Sequence, residues 1–342
     1  MIDLSSDTAT RPSQAMREFM AKAPVGDEQR REDPTVNELQ ELVADLTGKE
    51  AALFLPSGTM CNAIAFTVHC RRGDAVILDK WAHPNIAEGG GPALLAGVMV
   101  RPLDGERGIF TADQARAELS SGGTHTSRTA MISVENTTNR GGGKFWPLER
   151  LAELRALADE HGMVMHMDGA RLMNAVVASR NSARIYASFV DSVWIDLSKG
   201  LGAPVGAVLA GTRDFIEQAR LYKHRFGGAM RQAGVIAAAG LFAFEHNVER
   251  MAQDHENAKL LEAGFNSIPG VRTVNGPVET NIVLFDVSET GMTSQQVEKR
   301  LEDQGVRMAP YVLPTWIRAV THLDVSRTDC ELAVEALRKA VA

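Results

Sequence analysis

The chain is short of the residues that would mark several protein classes. It has only three cysteines in 342 residues, Cys61, Cys70 and Cys330, an odd number spread far apart. That excludes a disulfide scaffold, and the spacing fits no metal-binding pattern. Cys61 and Cys70 fall in an apolar helical stretch, where a thiol serves as a small core residue. Aromatic residues make up only 6%, and there is no excess of positive charge: 36 Lys and Arg stand against 43 Asp and Glu, a net charge of -7. No global basic field is available for nucleic acid. No apolar run approaches the roughly 18 to 20 residues needed to span a bilayer. The N-terminal MIDLSSDTATRPS has no basic head followed by an apolar stretch, so no secretory signal is expected and the chain reads as cytoplasmic.

What is present is an ordinary globular composition, 44% hydrophobic and 23% charged, in a chain long enough for a large domain and a smaller one. Short apolar runs alternate with helical patterns over about 160 residues: AALFL from Ala51, DAVILD, VMVRPL, TAMISVEN, MVMHMDGAR, SVWIDLSKG and GAVLAG. Runs of this kind, apolar throughout and stopping abruptly at polar residues, are how strands buried on both faces deliver side chains to their carboxyl ends. The expected architecture is α/β, a mostly parallel seven-stranded sheet flanked by helices, with ligands at the strand ends. After Gly270 the units shorten to strand, strand, helix, strand, strand, helix, an α+β layer. The division expected is a large domain over 1–250, including an N-terminal arm, and a small C-terminal domain over 251–342.

Two strings carry the chemistry. MVMHMDGAR delivers Asp168 and Arg171 at one strand end, and SVWIDLSKG delivers Lys199 at another about thirty residues later. A lysine amine for covalent attachment and a carboxylate to hold a pyridine nitrogen protonated are what a pyridoxal 5'-phosphate enzyme requires. Ser57, Gly58 and Thr59 sit between a strand-like run and an apolar helix, where free N–H groups suit a phosphate. A helix cap and a surface lysine would read similarly one at a time; the combination favours a cofactor site. His83 in a loop and Glu135 at a strand end are further candidates, for stacking on the cofactor ring and for touching its 3-hydroxyl.

On the strings SSDTATRP, VGDEQRREDPTVNEL, GKEAALFLPSGTMCN, ENTTNRGGG, MDGARLMNA, LSKGLGAPVGAVLAG, GGAMRQAG and TNIVLFDV, the chain resembles the low-specificity L-threonine aldolases. These belong to the β-eliminating lyase branch of the aspartate aminotransferase fold, pyridoxal phosphate fold type I. The resemblance implies retro-aldol cleavage of L-threonine, L-allo-threonine or a related β-hydroxy-α-amino acid to glycine and an aldehyde. It implies Lys199, Asp168 and His83 as catalytic residues. The cofactor contacts it implies are Ser57, Gly58, Thr59, His83, Glu135, Asp168, Arg171, Lys199, Lys223 and Arg231, the lysine and arginine at 223 and 231 in part across a subunit contact. Ser6, Arg171 and Arg318 would bind the substrate carboxylate, with Arg30 and Thr138 near the rest of the substrate. No metal is expected. The assembly implied is a homo-oligomer, a dimer at least and commonly a tetramer.

Three positions depart from the family pattern. Thr138 stands where the family has histidine, Arg30 where it has tyrosine, and Ala87 where a bulky residue is usual. A threonine hydroxyl is no base at neutral pH, so the substrate proton must go to His83, a water or the phosphate. All three departures concern the substrate's β-substituent and spare the cofactor contacts, and Arg30 or Arg31 could pair with an anionic substituent. Two other readings remain: β-elimination of a hydroxy amino acid to a keto acid and ammonia, and a non-catalytic protein that keeps the fold. The intact carboxylate clamp weighs against the second.

Overall fold

A computed structural model describes all residues, 1–342. The strands in chain order are β1 (Ile2–Asp3), β2 (Ala51–Leu55), β3 (Ala75–Asp79), β4 (Met99–Leu103), β5 (Thr129–Glu135), β6 (Val164–Gly169), β7 (Ser192–Asp196), β8 (Ala207–Gly211), β9 (Arg272–Thr273), β10 (Ile282–Asp286), β11 (Val306–Arg307), β12 (Ala309–Tyr311) and β13 (Leu313–Val320). A seven-stranded sheet has the order β2-β8-β7-β6-β5-β3-β4. Only β8 runs against its neighbours.

Successive side chains of a strand point to opposite faces, and here each face meets its own core. Phe54, Ile77, Ile132, Met165, Val193 and Val208 enter one apolar cluster. Leu53, Val76, Met131, Trp194 and Leu209 enter another on the opposite side. Burial on both faces is why the sequence shows these strands as unbroken apolar runs rather than alternating ones. It also leaves the strand ends as the natural place for charge.

Helices are started by local chemistry. Asp33 accepts a hydrogen bond from the Val36 N–H at the head of helix Pro34–Thr47, with Pro34 in its first turn. Gly48 closes that helix in the left-handed region at φ 67°, which an L side chain adopts reluctantly. Ser57 caps helix Gly58–His69 by accepting from the Met60 N–H.

The C-terminal part is a four-stranded antiparallel sheet, β12-β13-β10-β9. Its own core includes Ala258, Leu261, Phe265, Phe285, Ile317 and Leu337. Helix Met251–Asn266 runs between the units, with Met251 in the large core and Phe265 in the small one. The N-terminus joins the small unit: β1 pairs in parallel with β11, and Leu4 is buried in the small core. One strand differs from the sequence expectation. The run IRAVTHLDV predicts a start at Ile317, whereas the strand begins at Leu313, because β12 and β13 form a hairpin turned tightly at Val312, which takes a φ of 49°.

Candidate active site

The strands β2, β3, β5, β6 and β7 all end on one edge of the sheet, and a cavity of about 520 Å³ opens there. Asp168 is the fifth residue of β6, and Glu135 is the last of β5, paired directly with it in register. Lys199 follows β7 by three residues, His83 follows β3, and Ser57–Thr59 follow β2. Ser6 comes from the N-terminal segment and Arg318 from β13. All of these line the cavity, as does Arg171. The sheet gathers residues from Ser57 to Lys199 at the edge where α/β folds place ligands, and the N-terminal segment and β13 close over it with Ser6 and Arg318.

At the floor, the Lys199 ammonium lies 2.5 Å from Asp196 Oδ2 and 5.7 Å from the centre of the Trp194 ring. The Asp168 carboxylate accepts from Asn62 Nδ2 at 2.9 Å and from the Ala170 N–H at 3.0 Å. Glu135 accepts the N–H groups of His83 and Asn139, at 2.8 and 2.6 Å. Burial, and the Asp168 charge beside it, push the Glu135 carboxyl up to about 7. His83 Nδ1 is 2.8 Å from Glu88 Oε1, and that hydrogen bond raises the imidazole above its usual value.

Gly58 opens the helix with the Trp194 ring directly against it. A Cβ at this position would come within 2.2 Å of that ring. The N–H groups of Gly58 and Thr59 make no hydrogen bond within the chain, whereas the next two are taken by Ser57. Bare N–H groups at the head of a twelve-residue helix suit a phosphate.

The two arginines play unequal parts. Arg171 gives Nε and a terminal nitrogen to Asp7, at 2.7 and 2.8 Å, and both side chains are buried. The guanidinium holds the Asp7 carboxyl far below the usual carboxylate range against its own burial. Arg318 has no carboxylate partner. It donates to Asn139 Oδ1 and to the Ser5 carbonyl, at 2.9 and 2.8 Å, and its buried Nε is unpaired. So the freer cation for a substrate carboxylate is Arg318.

Four expected residues are not brought to this cavity within one chain. Thr138 is buried in the loop after β5, packed against Gly108 and Gly141, with its N–H on the Lys144 carbonyl at 2.9 Å. Its neighbour Asn139 lines the cavity instead. Lys223 is buried in an ion pair with Glu28, and Arg231 pairs with Asp27 at 2.9 Å on the surface. Arg30 is exposed beside Asp27, 4.0 Å away, and Arg31 pairs with Glu217 at 2.5 Å. Ala87 is exposed and does not line the cavity. Conversely, Asp7, Asn62, Glu88 and Asp196 carry no mark in the sequence of the bonds they make here. Each stands in or beside a string that was singled out, yet none has a spacing that announces a partner.

Fold and site together describe an α/β enzyme with a lysine and a carboxylate at adjacent strand ends. The chain belongs to the beta-eliminating lyase family, whose model matches residues 3–290. It is 41% identical over 333 residues to the low specificity L-threonine aldolase of Escherichia coli K12, covering 96% of this chain and 95% of that protein. It is 38% identical over 345 residues to low-specificity L-threonine aldolase 1 of Arabidopsis thaliana, at 99% and 96% coverage. Among solved structures, the threonine aldolase of Leishmania major superposes with a TM-score of 0.86 over 100% of both chains at 19% identity, a likeness of fold.

Proposed function

We propose that this lyase holds pyridoxal 5'-phosphate in the 520 Å³ cavity and cleaves L-threonine, L-allo-threonine or a related β-hydroxy-α-amino acid to glycine and an aldehyde. The observation that carries the reading is the convergence of Lys199, Asp168 and His83 with an acid-free Arg318 on one cavity. The residues fit the cofactor: bare N–H groups at Gly58 and Thr59 for its phosphate, a carboxylate at Asp168 for its ring nitrogen, and an amine at Lys199 for its aldehyde. Ser57 would add a hydroxyl to the phosphate cradle, and Glu135 would reach the ring's 3-hydroxyl.

When bound, the cofactor supplies an aldehyde that joins the substrate amine and a ring that accepts the electron pair of the broken Cα–Cβ bond. The chain does the rest. Asp196 keeps the Lys199 amine at the cavity floor until it is displaced. Arg318 binds the substrate carboxylate, with the remaining nitrogen of Arg171 and the Ser6 hydroxyl beside it. Two fixed donors orient a carboxylate, and that orientation selects which Cα bond lies perpendicular to the ring. His83 takes the β-hydroxyl proton, which Thr138 in its buried position cannot do.

We also propose an assembly of two or more subunits. Leu94, 74% exposed ahead of the edge strand β4, and Met99, 60% exposed at its first residue, are large apolar side chains that a subunit contact would cover. Lys223, Arg231 and Arg30 would reach a cofactor or substrate only across such a contact.

The test is a product assay on cofactor-loaded protein with threonine, allo-threonine, phenylserine and 3-hydroxyaspartate in both configurations. Glycine and aldehyde from several L-substrates is the expected result; ammonia and keto acid without glycine would replace cleavage by elimination. A second expectation concerns Gly58→Ala. A Cβ fits only if Trp194 or the head of the helix moves, which would displace the Gly58 and Thr59 N–H groups, so cofactor affinity should fall on the order of ten-fold, read from the visible absorbance on titration. Unchanged affinity would remove Gly58 from the phosphate site.

A further inference from the structure

Beneath the cavity lies a buried polar cluster centred on Asn62, which is 1% exposed. Its orientation is fixed by chemistry. The Trp194 indole N–H can only donate, and it lies 2.8 Å from Asn62 Oδ1, which also meets His166 Nε2 at 3.2 Å. The amide nitrogen must therefore face the other way. Nδ2 donates one hydrogen to Asp168 Oδ2 at 2.9 Å and one to Glu88 Oε1 at 2.8 Å.

A second nitrogen reaches the same Glu88 oxygen: His83 Nδ1, at 2.8 Å. Two N–H donors converging on one oxygen is what an ionised carboxylate accepts, since it carries lone pairs and no hydrogen of its own. The Glu88 side chain is 2% exposed, so its geometry is held by these bonds rather than by solvent. His83 Nε2 makes no hydrogen bond within the chain, and the ring lines the cavity.

We propose that Glu88, itself held by Asn62, is a positioning residue that fixes His83 in the Nδ1–H tautomer and leaves Nε2 as the proton acceptor for the substrate's β-hydroxyl. This rests on the reading of the cavity given above. The proton leaves the β-oxygen for Nε2, and the O–H electron pair becomes the second bond of the aldehyde carbonyl as the Cα–Cβ bond breaks and leaves its own pair at Cα, where the cofactor ring would accept it. Glu88 then faces the imidazolium that forms. Because Asn62 Nδ2 donates to both carboxylates, the same amide ties this histidine to Asp168, and one side chain sets both the proton acceptor and the charge under the ring. A carboxylate behind a histidine orients the ring and strengthens it as a base.

The charged groups facing His83 are Glu88 from its own segment, Glu135 from β5 and Asp168 from β6. All three favour the protonated ring, so removing the Glu88 charge lowers the pH at which His83 becomes neutral. In cofactor-loaded wild type, histidine ¹⁵N spectroscopy above pH 8 should find His83 protonated at Nδ1 and bare at Nε2. In Glu88→Gln, the ascending limb of kcat/KM for L-threonine should move to lower pH by about one unit, with kcat down on the order of ten-fold. KM and the visible spectrum of the bound cofactor should stay near wild type, and Glu88→Asp should restore the limb. A hydrogen at Nε2 in the wild type, or a loss of rate with no movement of the limb, would overturn the proposal. The tautomer measurement needs only wild-type protein, so it decides the point even where a variant does not fold. Failure of wild type to cleave any β-hydroxy amino acid would sink the functional reading and leave the tautomer result standing on its own.

Discussion

Lys199→Ala is expected to lower glycine release on the order of 10⁴-fold or more, with substrate still able to bind. The substitution removes the amine proposed to attach the cofactor, and with it the covalent contribution to the rate. Such losses are far from additive with those of neighbouring residues. Lys199 stands 2.5 Å from Asp196, so the substitution removes one partner of a partly buried ion pair, but the Asp196 carboxylate keeps the Ser198 N–H and hydroxyl, at 2.7 and 2.8 Å. The fold should survive, because no apolar core contact is lost. Rates from stopped-assay glycine release, compared at saturating cofactor, check the expectation. A variant retaining a tenth of wild-type activity would mean that another amine does the work.

Arg171→Ala is expected to be the most destabilising single change near the site. Asp7 has no solvent exposure and Arg171 only 5%, and two hydrogen bonds join them. Removing one partner of a buried pair strands the other charge, at a cost of about 3–5 kcal/mol. Asn281 Nδ2, 3.1 Å from Asp7 Oδ2, cannot replace a guanidinium. The pH dependence follows from the sign of the shift. Asp7 is held below its unfolded value of 3.8, so the pair stabilises the fold fully above that value. The contribution disappears as pH falls below it. Urea midpoints at pH 7 should therefore separate wild type from Arg171→Ala strongly, and the gap should narrow on acidification below about pH 4. In Asp7→Asn/Arg171→Met, both charges are gone and much of the loss should be recovered. Equal midpoints at pH 7 would show that the pair is not sealed from water.

Much of this architecture was legible because it rests on local rules. Strands covered on both faces read as continuous apolar runs, and each run stopped where Asp168, Glu135 or Lys199 meets the cavity. The caps at Asp33 and Ser57 are likewise short-range. What escaped are partnerships across the chain. Asp7 meets Arg171 after 164 residues, and Asn62 meets Asp168 after 106. No period or spacing encodes such pairs; burial and the sheet's strand order create them. Glu88 has no sequence neighbour that gives it a task. Thr138 was weighed as a substrate contact from its place in ENTTN, and the turn after β5 instead points it into Gly108 and Gly141 while presenting Asn139. Pro314 sits where β13 extends past β10 and needs no ladder partner there.

The central claim is that Lys199 holds the cofactor at the meeting point of these strand ends. Borohydride reduction of the cofactor-loaded protein, followed by proteolysis and mass spectrometry, tests it directly. The expected result is one pyridoxyl group per chain, carried by the peptide containing Lys199. A pyridoxyl group on the Lys223 peptide, or none on any lysine of a protein that cleaves β-hydroxy amino acids, would contradict the account.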